Sequence, residues 1–548
     1  MTARNINRQE AGVIKKRWRG KRSVAIVFPD SYGLAMANLG FQRVYELLNC
    51  NEDIVAERFF YNGISYDFRS AESNRHVLEF DIIIFSISFE LSYLNVAPFL
   101  MQAGIPPLRK DRAPYDSPLI LAGGVACQIN PSPVADFVDA FLLGDFEAIY
   151  EDLVSFLINR DINSSRKDRL LTELAESLAG VYCPGIHSRG KGIVTPAFSK
   201  KGLSTVAHTV VVSDRSSFPN TFLLEITRGC GRGCRFCAAG FVYRPPRNWS
   251  EEAINYTLSD TKGARKVGLV GLEYASSSII SGLCEGLIKK GFQLGFSSLR
   301  ADALTEEFVR LLVRSKNYTA AIAPEAGSER LRRIINKNLT EEQIVSAAEI
   351  LARVGLRNLK LYFMIGLPME EDDDVEEIAI LSKKVRDIML AFARGRGRAG
   401  KIIVSVATFV PKAWTPFQWV AFVESNVLKR RRKILREMLG SVPNIRLRLD
   451  SIEGSIMQAL LSRGDERLGK ILGSFVLRGL GNKRIVKEIS NIAENYLKER
   501  RLEEELPWEV INHRVKRNFL LAQWKRAQRA QETAFCNLQV CRRCGACG

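Results

Sequence analysis

Cys230, Cys234 and Cys237 lie in the segment EITRGCGRGCRFCAAG, three thiols on one short glycine-rich stretch directly after an apolar run. Cysteine thiolates are the usual ligands of iron–sulfur clusters, and a four-iron cluster normally takes four of them. Three local ligands leave one iron open, and an open coordination position lets a metal bind a substrate or cofactor directly. A structural zinc would want a fourth ligand, and the stretch supplies no nearby histidine. The spacing therefore points to a catalytic four-iron cluster.

A second group, Cys536, Cys541, Cys544 and Cys547, is spaced Cys-x4-Cys-x2-Cys-x2-Cys in CNLQVCRRCGACG. Four thiolates complete a site without help from elsewhere, and an auxiliary [4Fe-4S] cluster and a structural zinc both satisfy that count; the compact spacing favours iron–sulfur. Arg514, Lys516, Arg517, Lys525, Arg526 and Arg529 precede it. They are placed to offset a thiolate cluster's negative charge or to meet an acidic partner. Cys50, Cys127, Cys183 and Cys284 are scattered and read as small buried hydrophobes. His76, His187, His208 and His513 read as ordinary surface or core residues.

These groups need a scaffold. In residues 23–28 (SVAIVF), 81–85 (DIIIF), 119–122 (LILA) and 140–143 (AFLL), apolar runs alternate with helical patterns. That alternation predicts an α/β domain, a doubly wound, Rossmann-like parallel sheet over residues 21–160, after a basic arm at 1–20. Such sheets take ligands outside the carboxyl ends of their strands, where Asp30, Gly123, Gly124 and Gly144 would lie. Tight strand-to-helix turns need glycine with or without a ligand. Residues 161–215 read as a connector, strand-like over 205–212. The alternation resumes at 222–227, 267–272, 294–298, 319–324, 359–366 and 402–409. Six such units predict a partial (βα)6 TIM-type barrel over 216–425. A mainly helical region at 426–530, with one strand at 445–449, then leads to the cysteine-rich tail at 531–548.

The chain has 548 residues, 46% hydrophobic and 25% charged, values that exclude wholesale disorder. Its net charge of +19 suits an anionic partner such as RNA or a ribosomal component, with basic runs at 15–22, 394–401 and 429–433. No RNA-recognition signature accompanies them. No run of about 18 apolar residues and no apolar signal core occur, so no membrane association is expected. Clustered rather than paired cysteines suit a reducing, cytoplasmic setting.

Cys-x3-Cys-x2-Cys with Phe236 before the last cysteine resembles the radical S-adenosylmethionine (AdoMet) superfamily. The resemblance implies that the open iron chelates AdoMet and that the enzyme generates a 5′-deoxyadenosyl radical, fed by a reducing donor of flavodoxin or ferredoxin type. Residues 323–327 (APEAG), 360–368 (KLYFMIGLP) and 409–419 (FVPKAWTPFQW) look like the superfamily's AdoMet-cradling segments. By that resemblance Glu325, Gly366 and Glu273 would contact AdoMet. The first domain is similar to the cobalamin-binding domain of B12-binding radical AdoMet proteins. VAIVFPDSYGLAMANLG, LAGGVACQINPSP, DFVDAFLLGDFEA, APEAGSERLRRIINK and the tail together resemble one uncharacterised bacterial subfamily. The departure is a missing histidine: PDSYGLAMANLG has none where methionine-synthase-type domains ligate cobalt. A histidine-ligated cobalamin is therefore not expected, and the domain either binds cobalamin without that ligand or keeps only the fold. The implied function is methylation or remodelling of an unknown substrate. Two alternatives stand beside it, an RNA- or ribosome-directed modifying enzyme with an auxiliary cluster and a non-catalytic iron–sulfur binding or assembly protein.

Overall fold

The computed structural model describes residues 10–63, 67–112, 117–162, 165–187, 192–199, 206–271, 278–394, 400–537 and 541–547. The first sheet contains β1 (Arg22–Phe28), β2 (Ile54–Phe60), β3 (Ile82–Ser86), β4 (Leu119–Gly123), β5 (Ala140–Leu142) and β6 (Val181–Tyr182). Their order is β2-β1-β3-β4-β5-β6, parallel except for the last pair. β1 and β3 read as unbroken apolar runs because both faces are covered, and nearly every residue in them is buried. Strand order reverses between β1 and β3, so the ligand crevice of this sheet class lies between the loops that follow them.

β2 carries Glu57 and Arg58 inside an apolar run, which hides it from a reading of the sequence. Arg58 is only 1% exposed, and its guanidinium is held by Glu10 (2.9 Å) and Glu72 (2.5 Å). A buried charge is tolerable when paired in this way.

The second body consists of β7 (Thr221–Glu225), β8 (Lys266–Val270), β9 (Gln293–Phe296), β10 (Thr319–Glu325), β11 (Asn358–Ile365), β12 (Ile402–Thr408) and β13 (Ile445–Leu449). β9-β8-β7 and β10-β11-β12-β13 are parallel sheets, joined where Leu299 bridges Ile322. The strand expected at 445–449 thus does not stand among the C-terminal helices. It pairs in register with β12 and extends the open barrel. The connector is strand-like only in part: Val212–Ser213 pairs with Glu10–Ala11, and His208 bridges Leu224 at the free edge of β7. Covering that edge removes an exposed row of backbone donors and acceptors.

Barrel strands alternate between buried and half-exposed residues. The buried set, such as Leu359, Leu361, Phe363 and Ile365 of β11, joins the core under the helices. Successive side chains on a strand point to opposite faces. The other set, with Lys360, Tyr362 and Met364 beside Ile403, Ser405 and Ala407, therefore faces the lumen. Among the described residues no helix is long and apolar enough to cross a membrane.

Candidate active site

The cysteine loop leaves the carboxyl end of β7 through a closed neck. Thr227–Arg228 pairs antiparallel with Arg247–Asn248, so residues 229–246 form a loop pinched at its base. The neck is anchored to the first sheet. Arg228 contacts Glu225 (2.7 Å) at the end of β7, and Asp145 (2.9 Å) and Glu147 (3.1 Å) just beyond β5. Arg247 pairs with Asp145, and Arg43 with Glu147 at 3.3 Å. Burial pushes the Glu147 carboxyl up, but Arg228 and Arg43 outweigh it and hold the group down to about 2. In Glu225 burial wins, with Glu147 and Asp145 adding to it, and its pKa is raised despite Arg228.

Within the loop, Cys230, Cys234 and Cys237 are half-buried. Gly233 turns with φ of 75°, the left-handed region that glycine enters without strain. Arg235 has no exposed surface, and its guanidinium donates to the carbonyls of Ile334 (2.7 Å) and Gln531 (2.5 Å). The loop, the turn after the helix Glu329–Ile334 and the chain's tail are thereby tied together. Burial pushes the Cys234 thiol up, with Glu325 adding to it, against the pull of Lys337, Arg300 and Arg232. Burial likewise drives Cys237 up to about 12, helped by Cys234 and Cys230 and opposed by the Gly240 N–H. Thiols raised in this way, Cys234 and Cys237, stay protonated until a metal supplies positive charge. No three His, Cys, Asp or Glu side chains among the described residues converge on a single ion, at this loop or in the tail. The donor set fits a multi-iron cluster, whose ligands are spread around a cube of iron and sulfur.

Glu325 ends β10 at φ 71°, where the pairing with β11 shifts register. A non-glycine residue held in this region is a costly conformation that clusters at functional sites. Its carboxylate meets Lys337 at 3.2 Å. Lys337, Arg300 and Arg232 were not singled out from the sequence as site residues; the segment APEAGSERLRRIINK, which ends on Lys337, held the available signal. Gly366 follows β11, but its N–H donates to Glu370 at 2.5 Å and a Cβ there would come within 2.5 Å of Val423. Packing alone requires glycine at that position. Glu273 lies outside the described residues.

In the first domain, Gly124 has φ 103° and a Cβ on it would stand 2.4 Å from the Ile87 carbonyl. At Gly144 a Cβ would stand 1.9 Å from the Ala197 carbonyl, and at Gly123 it would stand 3.1 Å from the Leu142 carbonyl. At Gly124 and Gly144 the protein's own backbone leaves no room for a Cβ, whereas at Gly123 the contact is only tight. Asp30 receives the Ser31 N–H at 2.6 Å and the Ser92 hydroxyl at 3.4 Å, so it organises the loop after β1. Asn38 reaches Ser88 at 2.8 Å across the point where strand order reverses. Around it Leu34, Phe89 and Leu91 are 39%, 51% and 37% exposed. The loops after β1 and β3 thus expose apolar side chains, and none of the chain's four histidines lies on them.

The tail folds back onto the cysteine loop. The Cys536 N–H donates to the Gly231 carbonyl at 2.9 Å and the Lys516 N–H to the Cys544 carbonyl at 2.8 Å. Thr533 N–H donates to Asn336, whose side chain in turn donates to the Gly233 carbonyl at 3.1 Å. Arg232 stacks on Phe535 with its guanidinium carbon 3.8 Å from the ring centroid. A cavity of 230 Å³ lies between them, bordered by Arg232, Gly233, Arg244, Cys536, Cys541 and Arg542. Burial raises the Cys536 thiol; Arg244 pulls it down, while Cys541, Cys544 and Cys547 push it up. Two cysteine groups about 300 positions apart thus meet, which neither spacing foretold.

The basic runs are partly spent inside the protein. Lys16 donates to the carbonyls of Asn49 (3.0 Å) and Ile54 (2.7 Å), and Arg430 and Arg431 pair with Asp372 and Glu370.

Comparison with known proteins gives the family. The domain "Radical SAM proteins, N-terminal" matches residues 40–184, and the domain "Radical SAM superfamily" matches residues 224–381. An uncharacterised protein of Methanocaldococcus jannaschii is 30% identical over 456 residues, 82% of this chain and 90% of its own. The ribosomal protein uS12 methylthiotransferase RimO of a Thermotoga species is 22% identical over 238 residues, 41% of this chain and 52% of its own. Among solved structures, the radical AdoMet methyltransferase TsrM from Kitasatospora setae, with tryptophan and an AdoMet analogue, shares the fold. It has a TM-score of 0.51 and 11% identity, covering 86% of this chain and 100% of its own. The cobalamin-dependent radical AdoMet enzyme OxsB, with aqua-cobalamin, has a TM-score of 0.50 and 16% identity, covering 86% and 71%. The two domain matches and the relative matched over 90% of its length establish that this chain belongs to the radical SAM superfamily, a family of enzymes that work with a [4Fe-4S] cluster and AdoMet.

Proposed function

We propose that the protein is a cobalamin-associated radical AdoMet enzyme that methylates or otherwise remodels a carbon centre of an unidentified substrate. One observation carries this reading. Asp145 and Glu147, at the carboxyl edge of the doubly wound sheet, hold Arg228 and Arg247 at the neck of the Cys230–Cys234–Cys237 loop. The cysteine loop is thus fixed to the carboxyl edge of the first sheet, the same edge on which a ligand between β1 and β3 would lie, with the contacts themselves made two strands away beyond β5. The shared fold with OxsB, solved with aqua-cobalamin, and the apolar rim of Leu34, Phe89 and Leu91 support the same reading.

Cys230, Cys234 and Cys237 would hold three irons of the cluster and leave the fourth for AdoMet. Glu325 would meet the AdoMet ammonium or ribose, and Lys337 and Arg300, the two cations that most lower the Cys234 thiol, would meet its carboxylate. When bound, the cluster and AdoMet together supply a 5′-deoxyadenosyl radical, and cobalamin a transferable methyl group. The chain's own work is to orient these groups and keep water from the reacting carbon. Each reductive cleavage of AdoMet takes one electron, which would come from a low-potential donor of flavodoxin or ferredoxin type.

A second reading, modification of RNA or of a ribosomal component, draws on the partial likeness to RimO and on the charge of +19. It predicts RNA binding that weakens steeply with salt. The intramolecular pairing of Lys16, Arg430 and Arg431 speaks against it. Family membership sets aside the non-catalytic alternative.

The test is anaerobic reconstitution of wild type and Cys234→Ala, reduction with AdoMet, and assay of 5′-deoxyadenosine and bound cobalamin in the same samples. Deoxyadenosine from wild type alone, with cobalamin retained, is the expected result. Wild type that never retains or responds to cobalamin would remove the methyl-transfer branch.

A further inference from the structure

The lumen face of the barrel carries three cations that the proposed cofactor contacts leave unused. Paired residues of neighbouring parallel strands stand side by side on one face. Lys360, Ile403 and Arg446 form one such row across β11, β12 and β13, and Tyr362, Ser405 and Arg448 form the next. The alternate residues of β13, Ile445, Leu447 and Leu449, pack against the core, which leaves Arg446 and Arg448 to the lumen. Both arginines are exposed and Lys360 is half-exposed. Among the described residues, none of the three side chains has a hydrogen-bond or ion-pair partner. The carboxylates along these strands have their own cations. Glu225 is held by Arg228 and Glu325 by Lys337, and in Asp450, just past β13, burial raises the pKa against the pull of Arg432.

Strands about 4.8 Å apart put the Cα atoms of Lys360 and Arg446 about 10 Å from each other, and Arg448 follows about 7 Å along β13. Side chains as long as these can close on one group between them. Three cations outmatch a single carboxylate, whereas a phosphate monoester brings nearly two negative charges and three acceptor oxygens. Guanidinium forks match those oxygens. Tyr362 stands three residues before the end of β11, so this row lies about 10 Å below the rim of the barrel. β13 is also the free edge of its sheet, so the cations border the open side of the barrel. We infer that Lys360, Arg446 and Arg448 anchor the substrate in the lumen, and that this substrate is a small phosphate ester. Its phosphate sits among the three cations and its reacting carbon points to the rim. This inference rests on the proposed reaction, whose cluster and AdoMet would lie at that rim.

The test is calorimetric titration of the full, anaerobically reconstituted chain with phenyl phosphate and with benzoate, probes that share an apolar body and differ in the anion. Wild type is expected to bind phenyl phosphate saturably and at least tenfold more tightly than benzoate. Arg446→Gln and Arg448→Gln should each weaken phenyl phosphate at least tenfold, and Arg448→Lys should recover part of that loss. The preference between the probes is read on wild type, so a misfolded variant does not decide the matter. Equal affinity for the two probes would overturn the inference, and so would phenyl phosphate binding that ignores both arginines. AdoMet affinity lost together with phenyl phosphate affinity would assign the arginines to AdoMet and overturn it as well. So would a single-stranded oligoribonucleotide that binds through these arginines when phenyl phosphate does not. Wild type that binds phenyl phosphate through them but makes no deoxyadenosine would leave the anchor standing while the proposed reaction failed. Deoxyadenosine from a wild type that binds no phenyl phosphate would do the reverse.

Discussion

Arg228 is the cation on which three carboxylates converge at the neck of the cysteine loop, so Arg228→Met should loosen that loop from the first sheet. Its side chain is 13% exposed, against 15% for Glu225, 2% for Asp145 and 3% for Glu147. After the substitution Asp145 still has Arg247, and Glu147 still has Arg43. Glu225 faces methionine, and because burial already raises its pKa it can take up a proton rather than remain a bare charge. Removing one partner of a buried pair costs about 3–5 kcal/mol, and this relief places the expected loss at about 3 kcal/mol. For a domain of 150–250 residues each kcal/mol moves Tm by roughly 2–4 °C, so the barrel transition should fall by about 6–12 °C. Calorimetry on the reconstituted chain reads the shift, and iron content reads the loop. Arg228→Lys should recover only part of the loss, because an ammonium cannot make the forked contacts of a guanidinium. A fall of less than about 2 °C, with full iron retained, would refute the idea that this ion cluster seats the loop.

Burial holds His513 down to about 4, against the hydrogen bond that its Nε2 makes with the Gln128 carbonyl. Its neutral form is therefore favoured in the fold; stability is complete above about pH 6.5 and falls as pH drops toward 4, by about 3 kcal/mol in all. Thermal melts between pH 7 and 4.5 should show this loss, and His513→Gln should flatten it. Gly124→Ala should destabilise the first domain whether or not cobalamin is added, because the new methyl would meet the Ile87 carbonyl; a melt that changes only when cobalamin is present would assign the glycine to the ligand instead. Glu325→Gln should weaken AdoMet binding by about tenfold, the effect of roughly 1.4 kcal/mol, while the iron content stays unchanged; equal affinity in calorimetric titration would remove Glu325 from the cradle.

The local chemistry was legible in the sequence. Three cysteines on one glycine-rich turn need no distant residue to be recognised, and β1, β3 and β4 announce themselves as apolar runs because parallel strands are buried on both faces. What depended on distant partners was hidden. β2 escaped notice because Glu57 and Arg58 break its apolar run, and only the fold supplies Glu10 and Glu72 to neutralise Arg58. Gly124, Gly144 and Gly366 invited a reading as ligand contacts, yet the atoms they accommodate belong to Ile87, Ala197 and Val423. A glycine signals close approach without saying what approaches. Residues 445–449 were readable as a strand, but only pairing with β12 assigns them to the barrel. Both cysteine groups could be read from their own spacing; that they stand one hydrogen bond apart follows from the packing of Arg235, Asn336 and Thr533, contacts that no local pattern encodes.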